Sequence, residues 1–268
     1  MSCNHDCKNC KIKSGCNEKT FYKTDFKIKK VIAVMSGKGG VGKSSVTSLL
    51  ASLVSKRGKK VGIIDADLTG PSIAQAFNLH ERLKGDGKYM YPAITKEGIK
   101  VVSVNLLIEN ETDPVVWRGP VLSGALKQFY SEVYWDELDY LFIDLPPGTS
   151  DIQLTILNNI PLDGAFVVTT PQDLVTMVVT KAINLINKCN VKILGLIENM
   201  AYMVCPCCNE EIKLYGESKL NEVSKIHNTL AISSLPIDPH LARMVDEGKV
   251  EEYYTNLLDY AIEVLEDL

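Results

Sequence analysis

The chain has 268 residues, which suffices for one α/β domain of generous size with little left over. Its 46% hydrophobic and 23% charged residues are typical of a folded globular protein and exclude a disordered or fibrous one. The formal net charge is −4, and no stretch approaches the ~18 uninterrupted apolar residues of a membrane-spanning helix. The first residues are polar and lack the apolar core of a secretion signal, so we expect a cytoplasmic protein without a membrane partner.

Residues 1–25 are predicted to form a Cys-rich extension, separate from a body at residues 28–268. Residues 1–30 hold eight lysines against three acidic residues. A basic stretch of this kind is more often solvated than bound to nucleic acid, so we expect no nucleic-acid partner. The extension has too few apolar side chains for a core, and any order in it must come from a bound metal or from docking.

The extension carries four thiols in the pattern C-x₃-C-x₂-C-x₅-C, at Cys3, Cys7, Cys10 and Cys16. In a reducing compartment, clustered cysteines indicate metal or redox chemistry rather than disulfides. Four thiols so close together are a complete ligand set. No histidine follows at zinc-finger spacing, which favours a [4Fe–4S] cluster over zinc, with His5 as an alternative zinc ligand.

Short apolar runs that alternate with helix-like segments predict the fold of the body. The predicted strands are Val31–Met35, Val61–Ile64, Ile99–Val104, Tyr140–Ile143, Ala165–Thr169, Val191–Ile197 and Leu230–Leu235. The predicted helices are Lys43–Lys56, Gly119–Tyr134, Leu174–Lys188 and Glu251–Leu265. Strands that are apolar on both faces belong to a covered parallel sheet. We therefore expect an α/β fold with a doubly wound, mostly parallel sheet and helices on both faces.

A Gly-rich turn between the first strand and the first helix carries the pattern G-x-x-x-x-G-K-S. This is a P-loop, in which backbone N–H groups wrap around a phosphate and the helix N-terminus adds positive potential. Lys43 is expected to reach the terminal phosphates, and the Ser44 hydroxyl to hold Mg²⁺. The expected nucleotide-binding residues of the loop are Gly37, Lys38, Gly39, Gly40, Val41, Gly42, Lys43, Ser44 and Ser45. The alternative is a Gly-rich turn without a ligand.

Lys38 places a second cation beside the phosphates, directly after the first glycine. The sequence K-G-G-x-G-K-S resembles the deviant Walker A motif. That resemblance implies an ATP-sandwiched dimer in which Lys38 reaches the nucleotide of the partner subunit. A cation supplied in this way would stabilise the charge that develops on the transferred phosphoryl group. The alternative is a solvated surface lysine.

Two further apolar strands end in carboxylates, and ligands of open α/β sheets bind at the carboxyl ends of strands. Asp144 is expected to hold Mg²⁺ directly or through water. Asp67 is the better candidate to orient the attacking water, and it is a second candidate near Mg²⁺. The predicted catalytic residues are therefore Lys38, Lys43 and Asp67. Each aspartate taken singly has the alternative interpretation of a helix or turn cap.

Cys205 and Cys208 form a C-x-x-C pair after the strand Val191–Ile197. One subunit thus supplies two of the four ligands that an iron–sulfur cluster or a structural zinc requires. The economical completion is a two-fold homodimer with the metal on its axis and two thiolates from each chain. The alternatives are a redox pair and half of a zinc knuckle. Cys189 ends a predicted helix and is expected to be a small buried hydrophobe.

Taken together, these motifs resemble the Mrp/ApbC family of iron–sulfur carrier P-loop ATPases. The resemblance extends over about residues 28–268 and is carried by the runs at Gly37–Ser45, Asp65–Ser72, Trp117–Pro120, Asp144–Asp151 and Glu198–Met200. It implies a homodimer that binds ATP and a bridging, labile [4Fe–4S] cluster that is transferred to apo-proteins. Slow ATP hydrolysis is expected from the residues themselves, because the sequence shows no obvious catalytic group beyond Asp67 and the two lysines. The resemblance also implies adenine contacts from Asn199, Pro236 and Asp238, and switch regions at Asp67 and Asp144. The spacing Cys7-x₂-Cys10-x₅-Cys16 resembles the N-terminal motif of the cytosolic scaffold branch of that family.

The main alternative is an ATPase of spatial organisation, similar to MinD and ParA, with a structural zinc site. The apolar stripe of the last predicted helix is surrounded by acidic residues, which an anionic bilayer repels. We therefore expect this helix to pack on the body. An electron donor similar to nitrogenase reductase is a third possibility, but there the cluster cysteines are single residues, not one C-x-x-C.

Overall fold

The computed structural model describes residues 21–67, 72–107, 119–149, 151–172 and 175–268. The four N-terminal cysteines lie outside these ranges, so the predicted metal site of the extension has no structural description. Positions 68–71, 117–118, 150 and 174 of the predicted motifs and helices also lie outside.

In the described part of the chain, helices separate most of the longer strands. The strands are β1 (Lys27–Ser36), β2 (Val61–Asp65), β3 (Lys84–Gly85), β4 (Met90–Tyr91), β5 (Ala93–Ile94), β6 (Lys100–Ser103), β7 (Glu137–Asp144), β8 (Gly164–Thr169), β9 (Ile193–Glu198), β10 (Met203–Val204), β11 (Glu211–Ile212) and β12 (Ala231–Ser234). The helices are α1 (Lys43–Lys56), α2 (Ser72–Ala76), α3 (Gly119–Ser131), α4 (Asp151–Asn159), α5 (Val175–Lys188), α6 (Leu220–His227), α7 (Pro239–Asp246) and α8 (Asp259–Glu266).

Within the described residues, eight strands form one sheet in the order β12-β9-β8-β1-β7-β2-β6-β5. All neighbouring pairs are parallel except β5 with β6, which is antiparallel. The register aligns Asp144 at the end of β7 with Val34 of β1 on one side and with Asp65 of β2 on the other. The ends of the three central strands therefore meet at one edge of the sheet, beside the P-loop.

Side chains alternate between two buried layers along the central strands. Val31, Ala33 and Met35 of β1 face a core formed with α3, α4, α5 and α6. Ile32 and Val34 face the opposite core, formed with α1, α2 and α8. Because both faces are buried, the strands show apolar runs instead of polar alternation. The predicted doubly wound, mostly parallel fold is confirmed.

The prediction of one helix over Glu251–Leu265 is wrong. A 3₁₀ turn at Val250–Glu252 and an irregular segment precede α8. Glu251 is buried, and its carboxylate accepts hydrogen bonds from the Thr95 hydroxyl (2.5 Å) and the Glu97 N–H (3.3 Å). Further on, the Thr255 hydroxyl accepts from the Leu257 N–H, a local bond of the kind that competes with helix formation.

Helix α3 also ends earlier than predicted, at Ser131 instead of Tyr134. The Met90 N–H bonds to the Glu132 carbonyl (2.9 Å), and the Tyr134 N–H bonds back to the Met90 carbonyl (2.8 Å). These bonds pair the chain with β4, and the helix cannot continue through them. Helix α1, in contrast, has the predicted bounds.

Helix α8 packs on the body, as expected from its acidic surround. Ala261, Ile262 and Leu265 are buried in the core that also holds α1. Among the helices that the structure describes, none has both the length and the apolar character needed to cross a bilayer.

Replacing Ile262 by alanine should lower the free energy of unfolding by about 2–5 kcal/mol, because the substitution leaves a cavity beneath α8. Urea denaturation followed by circular dichroism measures this loss. Glu263→Ala is the matched control on the exposed face of the same helix and should change stability by less than about 0.5 kcal/mol. Equal effects of the two substitutions would contradict the packing of α8.

Candidate nucleotide and thiol site

The P-loop lies between the end of β1 and the start of α1, and geometry favours or requires glycine at three of its positions. Gly40 and Gly42 both have φ of +76°, a left-handed conformation that favours glycine. A Cβ atom at Gly37 would lie 2.6 Å from the carbonyl oxygen of Val178, so a side chain does not fit there. The loop can therefore curl tightly, with α1 beginning directly behind it.

The buried carboxylate of Asp144 collects three donors from the first turns of α1. Lys43 Nζ lies 2.6 Å from Asp144 Oδ2, and the Ser44 hydroxyl donates to the same oxygen at 2.6 Å. Thr47 Oγ1 lies 2.7 Å from Asp144 Oδ1. Lys43, Thr47 and Asp144 are all buried. The structure thus brings the predicted residues Lys43, Ser44 and Asp144 into one cluster and adds Thr47. Its position four residues after Lys43, on the same face of α1, is the sequence signal for it.

Asp65 and Asp67, two residues apart at the end of β2, lie in different environments. Asp67 Oδ2 lies 4.0 Å from Lys43 Nζ, and Asp67 lines the cavity in front of the P-loop. Asp65 is buried and accepts a hydrogen bond from the Ser103 hydroxyl at 2.9 Å. Burial first, and the neighbouring charge of Asp144 second, raise the pKa of Asp65 to about 8. Asp65 is a member of this charged cluster that the sequence prediction did not include.

Lys38 lies at the rim of the same cavity, and its ammonium group bonds to the side-chain oxygen of Gln172 in its own chain. The Ser36 hydroxyl donates to the Lys38 carbonyl at 3.0 Å. Lys38 and Lys43 therefore occupy different positions, one at the opening and one buried beneath the loop.

Two adjoining cavities in the described part of the chain share Gly42 and Ser45. The first, of ≈ 260 Å³, is lined by the P-loop, Asp67 and Pro147. The second, of ≈ 220 Å³, is lined largely by apolar groups and includes all three residues expected near adenine, Asn199, Pro236 and Asp238. A polar cavity joined to a more apolar one suits the phosphates and the base of a nucleotide. A larger cavity of ≈ 400 Å³ lies along residues 78–94 and contains none of the predicted site residues.

Asn199 and Asp238 hold the second cavity in shape. The Asn199 side-chain amide donates to the Val41 carbonyl at 3.0 Å, which ties the end of β9 to the P-loop. Asp238 caps α7 by accepting from the His240 N–H (2.7 Å), and it accepts from the Tyr253 hydroxyl (2.5 Å). Burial opposes ionisation of Asp238, but the Tyr253 hydroxyl and the helix N–H groups outweigh it and lower its pKa.

The thiols Cys205 and Cys208 lie on the turn of the β10–β11 hairpin, close to the end of β9 in sequence. The Cys205 N–H bonds to the Glu210 carbonyl and the Asn209 N–H to the Cys205 carbonyl, both at 2.9 Å. Backbone N–H groups of Cys207 and Cys208 point to the Cys205 sulfur, and the Cys208 thiol adds to them, so the pKa of Cys205 is lowered. Cys189 is buried, as predicted.

Within the described ranges, no three His, Cys, Asp or Glu side chains are arranged to hold a metal ion. The hairpin turn places the Cys205 and Cys208 thiols beside each other.

Comparison with known proteins decides the family. The model of the NUBPL iron-transfer P-loop NTPases matches residues 27–265. The chain belongs to this family. The predicted resemblance to iron–sulfur carrier P-loop ATPases is thereby confirmed, and the match leaves the four N-terminal cysteines outside it.

Curated relatives of this NUBPL-type chain carry related names. It is 45% identical over 234 residues to an iron–sulfur cluster carrier protein of Clostridium perfringens, with 84% of this chain and 82% of the relative covered. It is 40% identical to the carrier protein of Methanocaldococcus jannaschii, with 92% and 89% covered. A cytosolic Fe-S cluster assembly factor Nubp2 homolog of Drosophila grimshawi is 43% identical, with 80% and 84% covered.

Solved structures agree with the fold. A nucleotide-binding protein from Archaeoglobus fulgidus, in complex with ADP and with cobalt found in it, aligns with a TM-score of 0.77 and 44% identity, covering 86% of this chain and 90% of that one. The MinD cell division protein of Aquifex aeolicus, in complex with MinC, aligns with a TM-score of 0.62 at 20% identity, covering 89% of this chain and 94% of that one, and this shows a common fold only.

The raised pKa of Asp65 predicts a pH-dependent stability. An unfolded aspartate titrates near a pKa of about 3.9, so between about pH 4 and pH 8 the folded protein binds a proton here that the unfolded chain lacks. The free energy of unfolding therefore falls as the pH rises through this range. Without nucleotide or Mg²⁺, the wild type should lose on the order of 4 kcal/mol more than Asp65→Asn between pH 5 and pH 8.5 in urea denaturation.

Asp86→Asn is the control for that experiment, because hydrogen bonds from the Tyr89 and Lys88 N–H groups lower the pKa of the exposed Asp86 to about 2. It should follow the wild-type pH profile. An Asp65→Asn profile parallel to the wild type would contradict a protonated Asp65.

Proposed function

We propose that this chain is a cytoplasmic ATP-dependent carrier of iron–sulfur clusters. Two copies hold one labile [4Fe–4S] cluster between them and hand it to apo-proteins. The observation that carries the proposal is the thiol turn, residues 205–210 between β10 and β11, which holds the pair Cys205 and Cys208 and follows the strand bordering the nucleotide cavity. The family and the names of the relatives support iron transfer.

The ligand chemistry of the turn fits such a cluster. Thiolates are soft ligands that suit Fe–S clusters, and the lowered pKa of Cys205 increases the thiolate fraction of this cysteine. A [4Fe–4S] cluster takes four cysteine ligands, whereas Cys205 and Cys208 are two. A two-fold dimer supplies the remaining pair.

The P-loop cluster fits Mg²⁺ and ATP. Backbone N–H groups of the loop and Lys43 would bind the phosphates, and Ser44 with Asp144 would hold Mg²⁺, which supplies charge neutralisation between the phosphate oxygens. Oxygen ligands of this kind, one hydroxyl and one carboxylate, are those that Mg²⁺ prefers. Asp67, at the cavity wall, is placed to orient the attacking water. The base lies in the cavity of Asn199, Pro236 and Asp238.

Lys38 acts on the nucleotide of the partner subunit. Its position at the cavity opening supports this role, since a side chain at the rim can reach across an interface while the buried Lys43 cannot. Charge that develops during phosphoryl transfer is thereby neutralised only in the dimer. The same dimer would bring the two thiol turns together.

The four cysteines of the extension, Cys3, Cys7, Cys10 and Cys16, are proposed as a second metal site, with an iron–sulfur cluster favoured over zinc. This proposal is independent of the described residues and rests on the spacing of the thiols. Metal analysis and Mössbauer spectroscopy of full-length protein and of a variant without residues 1–25, both reconstituted anaerobically, distinguish the two sites.

Cys205→Ala should abolish the bridging cluster and leave ATP binding intact, because the turn loses its thiolate with two N–H···S contacts while the P-loop is unchanged. Anaerobic reconstitution followed by iron and sulfide analysis per dimer measures the loss, and equilibrium binding of a fluorescent ATP analogue checks the P-loop. Glu210→Ala, exposed on the same turn, is the control and should keep its iron. Wild-type iron content in Cys205→Ala, measured without residues 1–25, would refute the proposal.

Lys38→Ala should bind ATP normally and hydrolyse it about a hundredfold more slowly, the scale of losing one stabilising donor in the transition state. Lys43→Ala should instead lose nucleotide binding. The control is Lys84→Ala, which should behave as the wild type because the Lys84 side chain is 82% exposed. A mixture of the Lys38→Ala and Lys43→Ala proteins should regain hydrolysis, because a mixed dimer contains one complete site. No recovery on mixing would exclude a role across the interface.

A further inference from the structure

The thiol turn contains a third cysteine that a two-plus-two cluster does not use. Cys207 lies between Cys205 and Cys208 on the same hairpin, and its side chain is exposed. Backbone bonds from the Cys205 N–H to the Glu210 carbonyl and from the Asn209 N–H to the Cys205 carbonyl close this segment into one tight turn, which holds all three thiols. The thiols of Cys208 and Cys207 both contribute to lowering the pKa of Cys205. Two copies of the turn therefore present six thiols to a cluster that takes four.

The three thiols do not form one three-ligand site. Among the described side chains, no group of three is arranged around a common metal position. Cys205 therefore has two candidate partners on the turn, Cys208 and Cys207, which give two overlapping pairs of thiols.

Backbone hydrogen bonds fix the base of the turn. Antiparallel pairing of β10 with β11 joins Met203 to Ile212 and Val204 to Glu211. The bond from the Cys205 N–H to the Glu210 carbonyl extends this pairing to the first cysteine. Cys205 thus has a fixed position at the base of the turn, and Cys207 and Cys208 lie at its exposed tip.

We infer that Cys207 is an alternate cluster ligand that replaces Cys208 at the same iron during handover. An Fe–S bond to Cys207 forms as the Fe–S bond to Cys208 breaks, and the proton of the Cys207 thiol passes to the departing Cys208 thiolate. Iron and sulfide keep their oxidation states. Acceptor thiols replace the carrier thiolates in the same way: one Fe–S bond forms as one breaks, the acceptor thiol passes its proton to the departing carrier thiolate, and no free iron is released. This inference rests on the proposed cluster-carrier function.

The test uses the variants Cys207→Ala and Cys207→Ser. Each variant is made in the complete chain and in a chain that lacks residues 1–25, and all proteins are reconstituted anaerobically. Both variants should contain as much iron and sulfide per dimer as the wild type. Transfer to an apo-ferredoxin of the [4Fe–4S] type, followed by the absorbance of the acceptor, should be about tenfold slower. Glu210→Ala is the matched control and should transfer at the wild-type rate. Wild-type transfer by both Cys207 variants would overturn the inference.

A second measurement does not depend on transfer. Cys208→Ala should retain part of its iron through Cys207, and the double variant Cys207→Ala/Cys208→Ala should lose it. Alkylation of the loaded wild-type dimer with iodoacetamide, followed by peptide mass spectrometry, should label both Cys207 and Cys208 and protect Cys205. Label on Cys207 alone, or equal iron in the single and double variants, would overturn the inference. If instead Cys205→Ala keeps its iron, the cluster-carrier function itself fails, and the two failures are distinct.

Discussion

The buried carboxylate of Asp144 is the interaction on which the nucleotide site depends. A charge removed from water is tolerated only when it is paired and hydrogen-bonded, and Lys43, Ser44 and Thr47 together meet that requirement. All three donors come from the start of α1, so the carboxylate orients the helix relative to β7. The parallel register then brings Asp65 and Asp67 to the same edge. The charged cluster exists because three strands end and one helix begins at the same place.

The parts of this arrangement that local patterns determine were predictable. The P-loop and helix α1 follow from glycine spacing and from a long apolar periodicity, and the strands follow from uninterrupted apolar runs. The break before α8 was not predictable, because it depends on Glu251 accepting hydrogen bonds from Thr95 and Glu97, more than 150 residues earlier. The raised pKa of Asp65 likewise depends on its burial and then on the charge of Asp144, which lies beside it only through the sheet register.

The thiol turn shows the opposite relation between sequence and structure. The pair at Cys205 and Cys208 was visible in the sequence, and the incompleteness of its ligand set followed from counting. The sequence did not reveal that N–H groups of the turn already favour the thiolate of Cys205, since such contacts depend on the turn conformation. The structure therefore adds a difference among the three thiols, with one held at the base and two at the tip.

The hydrogen bond from Asn199 to the Val41 carbonyl connects the two halves of the site. Only five residues separate Asn199 from Cys205, so the strand that holds the P-loop also positions the thiols. When two binding sites are connected through one strand, thermodynamic linkage between them is reciprocal. Any factor by which bound nucleotide changes cluster affinity is the factor by which the cluster changes nucleotide affinity. A bound cluster would then change the affinity of the ATP site, and carriers with and without a cluster would bind nucleotide with different affinities.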